Sequence, residues 1–401
     1  MNAIELFAGG GGLALGVAAA GFKHEALVEW DTDSVAALRT NVSREGWPYG
    51  DWKIIHGDVS KYTFGQLESK VDLVSGGPPC QPFSIGGKHR AFDDARDMFP
   101  HAARVIREVK PRAFIFENVR GLTREAFKNY FQYIKLRLEF PEETIFENES
   151  WIEHHQRLEG LYSSNADVGL RYLVNTRVLN AAEYGVPQHR HRVFFVGFRS
   201  DVQQAWGFPN PSHSEEELLR AKWLTGEYWD EHRIAKRSRP ELTAIERRRL
   251  ERLPFANDTQ RWRTVRDAIG NLPLPTSRLA LSYQGHRFQA GARPYPGHTG
   301  SRFDYPAKTL KAGDHGVPGG ENMLATEDGL YRYFTVRESA RLQTFPDTYE
   351  FPASWTESMR QIGNAVPVDL AKVVADSVRE ALEESSPKVG GKRRKTATAS
   401  S

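Results

Sequence analysis

The chain has 401 residues, of which 39% are hydrophobic, and its formal net charge is +3. This length predicts two or three domains with a substantial core, and no apolar run approaches the roughly 20 residues that a membrane span needs. A single cysteine, Cys80, excludes an intramolecular disulfide and a cysteine-based metal site. The N-terminus shows no signal peptide, so we expect a cytoplasmic protein without a bound metal.

Short apolar runs alternate with helical stretches over the first 200 residues. The first run, residues 3–8, ends in four glycines at 9–12, and an Ala- and Leu-rich helix follows up to Gly21. The further apolar runs that predict strands are residues 26–28, 53–55, 71–74, 113–116 and 193–196. This alternation is typical of an α/β fold with a doubly wound, mostly parallel sheet that carries helices on both faces.

The composition changes after residue 204, which divides the chain into a first domain, residues 1–204, and a smaller one, residues 205–333. The smaller domain is predicted to begin with charged helices and to continue with Gly- and Pro-rich segments that favour short strands and loops. Residues 334–386 are predicted to return to the first domain and to end in a helix over about 368–384. The tail, residues 387–401, has five basic residues and no acid and is predicted to be disordered.

The four glycines predict a cofactor-binding turn, because a strand that ends in glycine before a helix lets a ligand approach the backbone closely. At the end of the second strand, Glu29 is placed to hold a ribose hydroxyl. Trp30 beside it could stack on a purine, and Asp58 could accept a hydrogen bond from an exocyclic amine. The pattern suits NAD and S-adenosylmethionine (AdoMet) equally, and similar glycine runs also occur in ordinary turns.

Cys80 is the first of three candidates for catalysis. It follows the strand predicted at 71–74, in a loop with neighbouring prolines and two glycines. Prolines stiffen a loop, and a stiff loop at the carboxyl end of a strand presents a thiol well for nucleophilic attack. A cysteine that is merely buried is the alternative.

A carboxylate and a pair of arginines are the other two candidates. Glu117 follows the strand predicted at 113–116, so we expect it at the same sheet edge as Cys80. An apolar cleft there would raise its pKa and let it act as an acid, although it could instead cap a helix. Arg190 and Arg192 are two residues apart on an extended chain and point the same way. They could clamp an oxyanion, a carbonyl or a phosphate, or form a basic surface edge.

Together these segments resemble those of the DNA (cytosine-5)-methyltransferases of bacterial restriction-modification systems, in the order in which that family has them. The segments that carry the resemblance are ELFAGGGG at 5–12, PPCQ at 78–81, ENV at 117–119, QHRHR at 188–192, RESARLQTFP at 337–346 and QIGNAVP at 361–367. The similarity covers about residues 4–200 and 334–384. Some positions depart from the family pattern: Glu5 stands where an Asp is usual, and residues 96–99 read RDMF where Arg-Gly-x-Leu is usual, so that Asp97 replaces a Gly. His189 and His191 stand at positions that vary in the family.

The resemblance implies the reaction and its site. Cys80 would attack C6 of a cytosine that has flipped out of duplex DNA. Glu117 would hold N3 and the exocyclic amine, and Arg192, supported by Arg190, would contact O2. AdoMet would be the cofactor and methyl donor. The residues expected to bind it are Phe7, Ala8, Gly9, Gly11, Gly12, Glu29, Trp30, Asp58, Val59, Pro79, Asn364 and Val366.

The resemblance places a DNA-reading, target-recognition domain in residues 205–333. Within it, residues 278–311 hold six basic residues against one acidic residue, with aromatic residues between them, which favours contacts with phosphates and bases. The residues expected to contact double-stranded DNA are Gln81, Ser84, Lys88, Arg287, Arg293, Arg302 and Lys308. We expect a monomer that meets the nucleoid through its substrate, and a cognate restriction endonuclease would act separately.

Three alternatives fit parts of the sequence. A tRNA cytosine-5 methyltransferase of the same fold would share every catalytic residue, although the more than one hundred residues between Gln188 and Arg337 favour a DNA-reading domain. A DNA-binding relative without activity would not need Cys80, Glu117 and Arg192 together. A nicotinamide-dependent dehydrogenase would use only the glycine turn and would leave the proline–cysteine loop unexplained.

Overall fold

A computed structural model describes most of the chain. It covers residues 1–79, 97–164, 169–202, 205–253, 258–296, 299–312, 322–326 and 328–385. The predicted features that lie outside these residues are the nucleophile Cys80, the DNA-contact candidates Gln81, Ser84 and Lys88, and the tail at 387–401. The described residues on either side of the segment with Cys80 are Pro79 and Asp97.

The first 200 residues form a seven-stranded sheet with the order β3-β2-β1-β4-β5-β7-β6. Its strands are β1 (Asn2–Leu6), β2 (Lys23–Glu29), β3 (Ile54–His56), β4 (Leu73–Gly76), β5 (Ala113–Val119), β6 (Tyr172–Asn180) and β7 (His191–Arg199). Strands β1 to β5 pair in parallel, whereas β7 runs antiparallel to both β5 and β6. The prediction of a doubly wound, mostly parallel sheet is confirmed. The strand order reverses between β1 and β4, where such sheets bind ligands beyond the carboxyl ends of the strands.

Helices cover both faces of this sheet. They are α1 (Gly12–Ala19), α2 (Thr32–Val42), α3 (Phe99–Val109), α4 (Lys128–Glu139) and α5 (Trp151–Ser164). In β5, Phe114 and Phe116 pack into one core with α3 and α4, whereas Ala113 and Ile115 pack into a second core with α1. Strands that bury both faces read as continuous apolar runs, which is why the sequence predicted them.

Residues 205–333 hold short elements instead of a large sheet. The strands are β8 (His213–Ser214), β9 (Gln260–Arg261), β10 (Ser301–Arg302), β11 (Met323–Ala325) and β12 (Tyr331–Tyr333), and the helices are α6 (Glu215–Arg220), α7 (Glu227–Glu231), α8 (Ala244–Leu250) and α9 (Val265–Ile269). β8 pairs with β9, and β10 to β12 form a three-stranded sheet. A small core contains Tyr228 and Trp229 of α7 and Leu218 of α6. Short elements and loops therefore dominate this region, as its Gly and Pro content predicts.

The end of the chain returns to the main sheet. Its helices are α10 (Val336–Leu342), α11 (Trp355–Asn364) and α12 (Val368–Glu384). α12 packs on α1 at Gly16, where an added Cβ would lie only 2.4 Å from the Cβ of Ala371. The apolar side of α12 shares one core with Leu13 and Val17 of α1. A membrane-spanning helix is absent from the described residues.

Candidate active site

The glycine loop after β1 takes backbone conformations that most side chains disfavour. Phe7, Gly9 and Gly11 have φ values of 56°, 51° and 83°, in the left-handed region that glycine adopts without steric cost. At Phe7 this conformation stores about 1–3 kcal/mol of strain, as is common in functional loops. A Cβ on Gly9 would meet no atom within 4 Å. The loop therefore borders open space, where a ligand can approach the main chain.

Glu29, at the end of β2, holds the glycine loop directly. Its Oε2 accepts the Gly9 N–H at 2.7 Å, and its Oε1 accepts the N–H groups of Trp30 and Asp31 at 3.0 and 2.8 Å. Burial raises the pKa of this carboxyl, and the three N–H groups oppose that shift. Since each carboxylate oxygen can accept more than one hydrogen bond, Glu29 can still receive a ribose hydroxyl.

The groups expected around a purine lie beside Glu29. The Gly57 N–H donates to the Glu29 carbonyl at 2.8 Å, which brings Asp58 to the same sheet edge as Trp30. Trp30 is 74% exposed, so its ring is free to stack on a base. Asp58 accepts the Ser60 N–H at 2.8 Å, and its hydrogen bonds with Ser60 lower its pKa. Val59, the other residue expected here, is buried directly after Asp58.

The C-terminal segment packs against the glycine loop. The Tyr349 hydroxyl donates to the Gly10 carbonyl at 3.0 Å, and a Cβ on Gly12 would lie 2.2 Å from the Val366 carbonyl oxygen. Val366 is buried there, whereas Asn364, the last residue of α11, is exposed. The structure thus brings residues 364–366 from the far end of the chain to the loop that follows the first strand.

These features fit a cofactor that contains adenosine. Such a cofactor needs a surface for its purine, an acceptor for its ribose and an acceptor for its amine, and Trp30, Glu29 and Asp58 offer these groups at one sheet edge. The open backbone at Gly9 leaves room for the remainder of the molecule. The site therefore suits AdoMet, although an adenosine moiety alone would not distinguish it from NAD.

The segment with Cys80 begins at an anchored backbone. The Asn118 side-chain amide donates to the Pro78 carbonyl at 2.8 Å. The Met98 N–H donates to the Pro79 carbonyl at 3.0 Å. The described residues before and after this segment are thus tied to each other and to the end of β5.

Asp97, which stands where the resembled family usually has Gly, takes part in this anchor. It accepts the Phe99 N–H at 3.2 Å, at the first residue of α3. It also accepts the hydroxyl of Tyr130 from α4. The departure from the family pattern therefore adds polar contacts at the start of α3.

Glu117 and Arg192 form a buried ion pair at the sheet edge. The antiparallel pairing of β5 with β7 sets Val119 opposite Arg192, and the Arg192 Nε lies 2.8 Å from the Glu117 Oε1. Burial raises the pKa of Glu117 and lowers that of Arg192, while the charge of each partner opposes the shift of the other. A Cβ on Gly77 would lie 3.4 Å from the Glu117 Oε2. The carboxylate therefore lies against the backbone that leads to Cys80.

Arg190 has different partners from Arg192. It is fully buried, and its Nη1 and Nη2 donate to the carbonyls of Leu310 and Gly363 at 2.9 and 2.6 Å. Its positive charge still acts on Glu117 and counteracts the rise in the pKa of that carboxyl. The structure thus brings both arginines to one edge, but the hydrogen bonds of Arg190 go to the main chain.

The DNA-contact candidates in residues 205–333 differ in exposure. Arg293 and Arg302 are exposed, and Lys308 is half-buried and donates to the Thr299 hydroxyl at 3.2 Å. Arg287 donates to four carbonyls of its own loop, so it organises that loop. Exposed apolar side chains in the same stretch, which commonly mark a binding surface, are Leu274, Leu279, Leu281, Phe288 and Tyr295.

Several residues that build the site were missed by the sequence analysis. Asn118 and Tyr349 each anchor a loop through its backbone, and Arg360 of α11 forms a 2.8 Å ion pair with Asp31, next to Trp30. Asn118 lies inside a segment that carries the family resemblance, so its position was a usable signal. Arg360 offered none, because a charged residue on a helix is usually solvated.

Comparison with known proteins identifies similar sequences along nearly the whole chain. A model of the family described as C-5 cytosine-specific DNA methylase matches residues 1–142 and 136–380. The Type II methyltransferase M.PspPI of Psychrobacter sp. (strain TA137) is 33% identical over 383 residues, which are 94% of this chain and 78% of that protein. The Type II methyltransferase M.NgoMIV of Neisseria gonorrhoeae is 30% identical over 392 residues, which are 96% of this chain and 98% of that protein.

Solved structures are similar in fold. A putative DNA modification methyltransferase encoded within an E. coli prophage has 20% sequence identity and a TM-score of 0.57, and the match covers 96% of this chain and 99% of that one. The S. pombe Dnmt2 methyltransferase has 17% identity and a TM-score of 0.53, with 96% and 99% covered. At these identities the likeness shows the fold alone.

Proposed function

The chain belongs to the C-5 cytosine-specific DNA methylase family, and we propose that Cys80, Glu117 and Arg192 carry out its reaction. It is a sequence-specific DNA (cytosine-5)-methyltransferase that uses AdoMet as its methyl donor. One observation carries the assignment of these residues: the buried Glu117–Arg192 pair lies at the same sheet edge as the glycine loop and the anchored backbone of Pro78 and Pro79.

The nucleophile in this proposal is Cys80. Carbon 5 of cytosine is a poor nucleophile, so the ring has to be activated first. The Cys80 thiolate bonds to C6, and the electrons of the C5–C6 double bond shift towards C5. When bound, AdoMet supplies the methyl group that C5 takes up. Loss of the C5 proton and cleavage of the C6–S bond then restore the aromatic ring and release the Cys80 thiolate.

Glu117 and Arg192 hold the target ring while charge builds up on it. Burial raises the pKa of Glu117, so the carboxylate of the resting ion pair can take up a proton when the ring binds and donate it towards N3, and its other oxygen accepts from the exocyclic amine. Arg192 donates to O2. The 2.8 Å ion pair between the two side chains keeps them at a fixed spacing, so they act as one unit on one ring.

The cofactor lies, in this proposal, between the glycine loop and residues 364–366. Glu29 accepts a ribose hydroxyl, Trp30 stacks on the adenine and Asp58 accepts from its amine. The main chain around Gly9 and Gly11 lines the open space next to them, and Asn364 reaches the methionine end. The support for these roles is the shared sheet edge of Glu29 and Asp58 and the packing of Val366 on Gly12.

DNA is the substrate, and a base inside a duplex has to flip out before Cys80 can reach it. We assign DNA reading to residues 205–333, with Arg293 and Arg302 as phosphate contacts because they are exposed. The tRNA alternative is not favoured, since the matching family is described as a DNA methylase family and the relatives are Type II methyltransferases. The proposal extends to a separate restriction endonuclease as a partner system, because the relatives are Type II methyltransferases. It also extends to a monomer that meets the nucleoid through its DNA substrate.

The first test uses purified wild type and Cys80→Ala, each with labelled AdoMet and an unmethylated plasmid. We expect methyl transfer by the wild type alone, and bisulfite sequencing should place 5-methylcytosine within one short repeated sequence. Cys80→Ala should keep the wild-type Kd for AdoMet, because Cys80 is not assigned to the cofactor. Methylation by Cys80→Ala, or methylation of tRNA but not of plasmid by the wild type, would contradict the proposal.

A modified substrate tests the covalent step. If the target cytosine carries fluorine at C5, no C5 proton can be lost, so the C6–S bond should persist after methyl transfer. We expect wild type with AdoMet to remain attached to this DNA during denaturing electrophoresis and Cys80→Ala to be released. Release of the wild type, with its methyl transfer to ordinary DNA intact, would reject Cys80 as the nucleophile.

A further inference from the structure

Three buried polar side chains connect the catalytic strand β7 with the segments that return to it. Gln188, Arg190 and Gln343 are all fully buried, and we call these three residues the buried hub. Buried polar groups are costly unless they are hydrogen-bonded, and each member of the hub bonds to main-chain atoms far away in sequence. The hub therefore fixes the relative position of segments that share no continuous element.

Arg190 joins two of these segments. Its guanidinium donates to the Leu310 carbonyl at 2.9 Å and to the Gly363 carbonyl at 2.6 Å. The two segments are themselves in close contact, because a Cβ on Gly363 would lie 2.4 Å from the Ala312 nitrogen. Leu310 belongs to residues 205–333, and Gly363 lies just before residues 364–366, the segment that is proposed to contact the cofactor.

The two glutamines complete the connection. The Gln188 Oε1 accepts the Leu310 N–H at 2.9 Å, and its Nε2 donates to the Gln343 Oε1 at 3.1 Å. The Gln343 Nε2 donates in turn to the carbonyls of Ile362 and Ala365 at 2.6 and 3.2 Å. Residues 362–365 are thus held from two sides, by Arg190 and by Gln343.

The hub lies between the two halves of the proposed site. On one side, Ala365 is followed by Val366, which packs on Gly12 of the glycine loop. On the other side, Arg190 is two residues before Arg192, the proposed contact to the cytosine O2. A displacement of residues 362–365 would therefore be transmitted to the cofactor and to the ring-holding arginine together.

We propose that Arg190 is a positioning residue that fixes the cofactor segment relative to Arg192 and does not itself contact cytosine. This inference rests on the proposed role of Arg192. It makes a distinction that can be measured: a side chain that touches cytosine affects the enzyme only when DNA is present, whereas a side chain that holds residues 362–365 also affects AdoMet binding without DNA.

The test variant is Arg190→Lys, which keeps a positive charge but replaces the planar fork by a single ammonium group that cannot reproduce two diverging hydrogen bonds. We expect its Kd for AdoMet, measured by calorimetry without DNA, to rise about tenfold, as the loss of one charge-assisted hydrogen bond implies. The rate of a single turnover on duplex DNA at saturating AdoMet should also fall about tenfold.

Arg199→Lys is the matched control. Arg199 lies at the other end of β7 and also donates to a backbone carbonyl, that of Lys110, at 2.6 Å. Its substitution should lower the Tm but leave the Kd for AdoMet and the single-turnover rate within twofold of wild type. A rise in the Kd of this control equal to that of Arg190→Lys would mean that general destabilisation explains both, and would overturn the proposal.

Gln343→Met provides a second variant in case Arg190→Lys does not fold, because it removes the amide that holds the Ile362 and Ala365 carbonyls at similar side-chain volume. It should raise the Kd for AdoMet in the same way. An unchanged Kd for AdoMet without DNA in a folded variant would refute the positioning role. If Arg190→Lys lost single-turnover rate but kept this Kd, Arg190 would instead be assigned to contact with cytosine. Wild type that binds AdoMet but methylates no DNA would defeat the proposed function instead, while the Kd comparison would still decide the role of the hub.

Discussion

Replacing Gly12 by alanine tests how closely the C-terminal segment sits on the glycine loop. A Cβ at this position would lie 2.2 Å from the Val366 carbonyl oxygen and 3.1 Å from the Cβ of Ala365. The φ of Gly12 is outside the left-handed region, so alanine is compatible with its backbone. Any loss in the variant therefore comes from the contact with the C-terminal segment.

The size of the effect follows from that contact. The distance falls 0.8 Å short of the 3.0 Å below which real Cβ contacts essentially never occur, and both atoms belong to or sit directly on a backbone, so no flexible side chain can absorb the shift. Overpacking of this kind costs about 1–3 kcal/mol, which corresponds to about 5- to 150-fold if all of it appeared in binding. We expect the Kd of Gly12→Ala for AdoMet to rise at least about fivefold.

Gly16→Ala, one helical turn along α1, is the matched control. Its Cβ would lie 2.4 Å from the Cβ of Ala371 and 2.7 Å from both the Lys372 nitrogen and the Val368 carbonyl oxygen. The atoms that it meets first therefore belong to α12 and not to residues 364–366. Urea unfolding should show a similar loss of stability in both variants, and calorimetry should show weaker AdoMet binding only in Gly12→Ala. Equal Kd values for Gly12→Ala and wild type would refute the contribution of Val366 to the cofactor site.

Three further predictions concern single side chains. Glu117→Gln leaves the buried charge of Arg192 without a counter-charge, so urea unfolding should show a loss of about 3 kcal/mol in the free energy of unfolding. The single-turnover rate should fall at least about a hundredfold, and a rate within tenfold of wild type would contradict the assigned role. Trp30→Ala should leave stability within about 0.5 kcal/mol because Trp30 is exposed, but should weaken AdoMet binding about tenfold through the lost stacking, and unchanged binding would remove Trp30 from the site. His154 is buried and its pKa is lowered to about 4, so as the pH decreases the histidine of the unfolded chain is protonated first, and stability falls between about pH 6.5 and pH 4. His154→Gln should therefore lose less stability than wild type between pH 7 and pH 5. Equal losses of the two proteins in urea unfolding would disprove this.

Most of the strands that the sequence predicted are buried on both faces; the exception is β3, an edge strand that its two isoleucines made recognisable. The apolar run at 113–116 became the centre of β5, because a central parallel strand has no polar side to interrupt the pattern. β6 was missed. Its residues Asn175, Thr176 and Arg177 break the apolar run, since β6 is an edge strand with one neighbour. An edge strand with one face exposed to solvent needs fewer apolar residues, so the sequence of β6 resembles that of a loop.

The candidate site was predictable to the extent that its chemistry lies within short segments. Glu29 and Glu117 each follow a predicted strand, and the carboxyl ends of parallel strands share one edge of a sheet, so the sequence alone placed both residues at that edge. The partners of Arg190 were beyond reach, because its hydrogen bonds go to carbonyls 120 and 173 positions further along the chain. Every residue has a main-chain carbonyl, so nothing in the sequence marks the carbonyls that Arg190 binds, and Arg190 resembles any other arginine.

The direction of β7 explains why Arg192, the proposed contact to cytosine, depends on late parts of the chain. In a parallel strand the residues at the ligand-binding edge come last, after the hydrogen bonds of the strand have fixed them. β7 runs against β5, so Arg192 reaches that edge as the second residue of its strand. The residues before it have to be held from outside, by the bridge between Gln188 and Ala307 and by the bond from Arg190 to Gly363. The proposed contact to the cytosine ring therefore takes its final position only once the chain has folded through Gly363, which ties the position of Arg192 to the late segments.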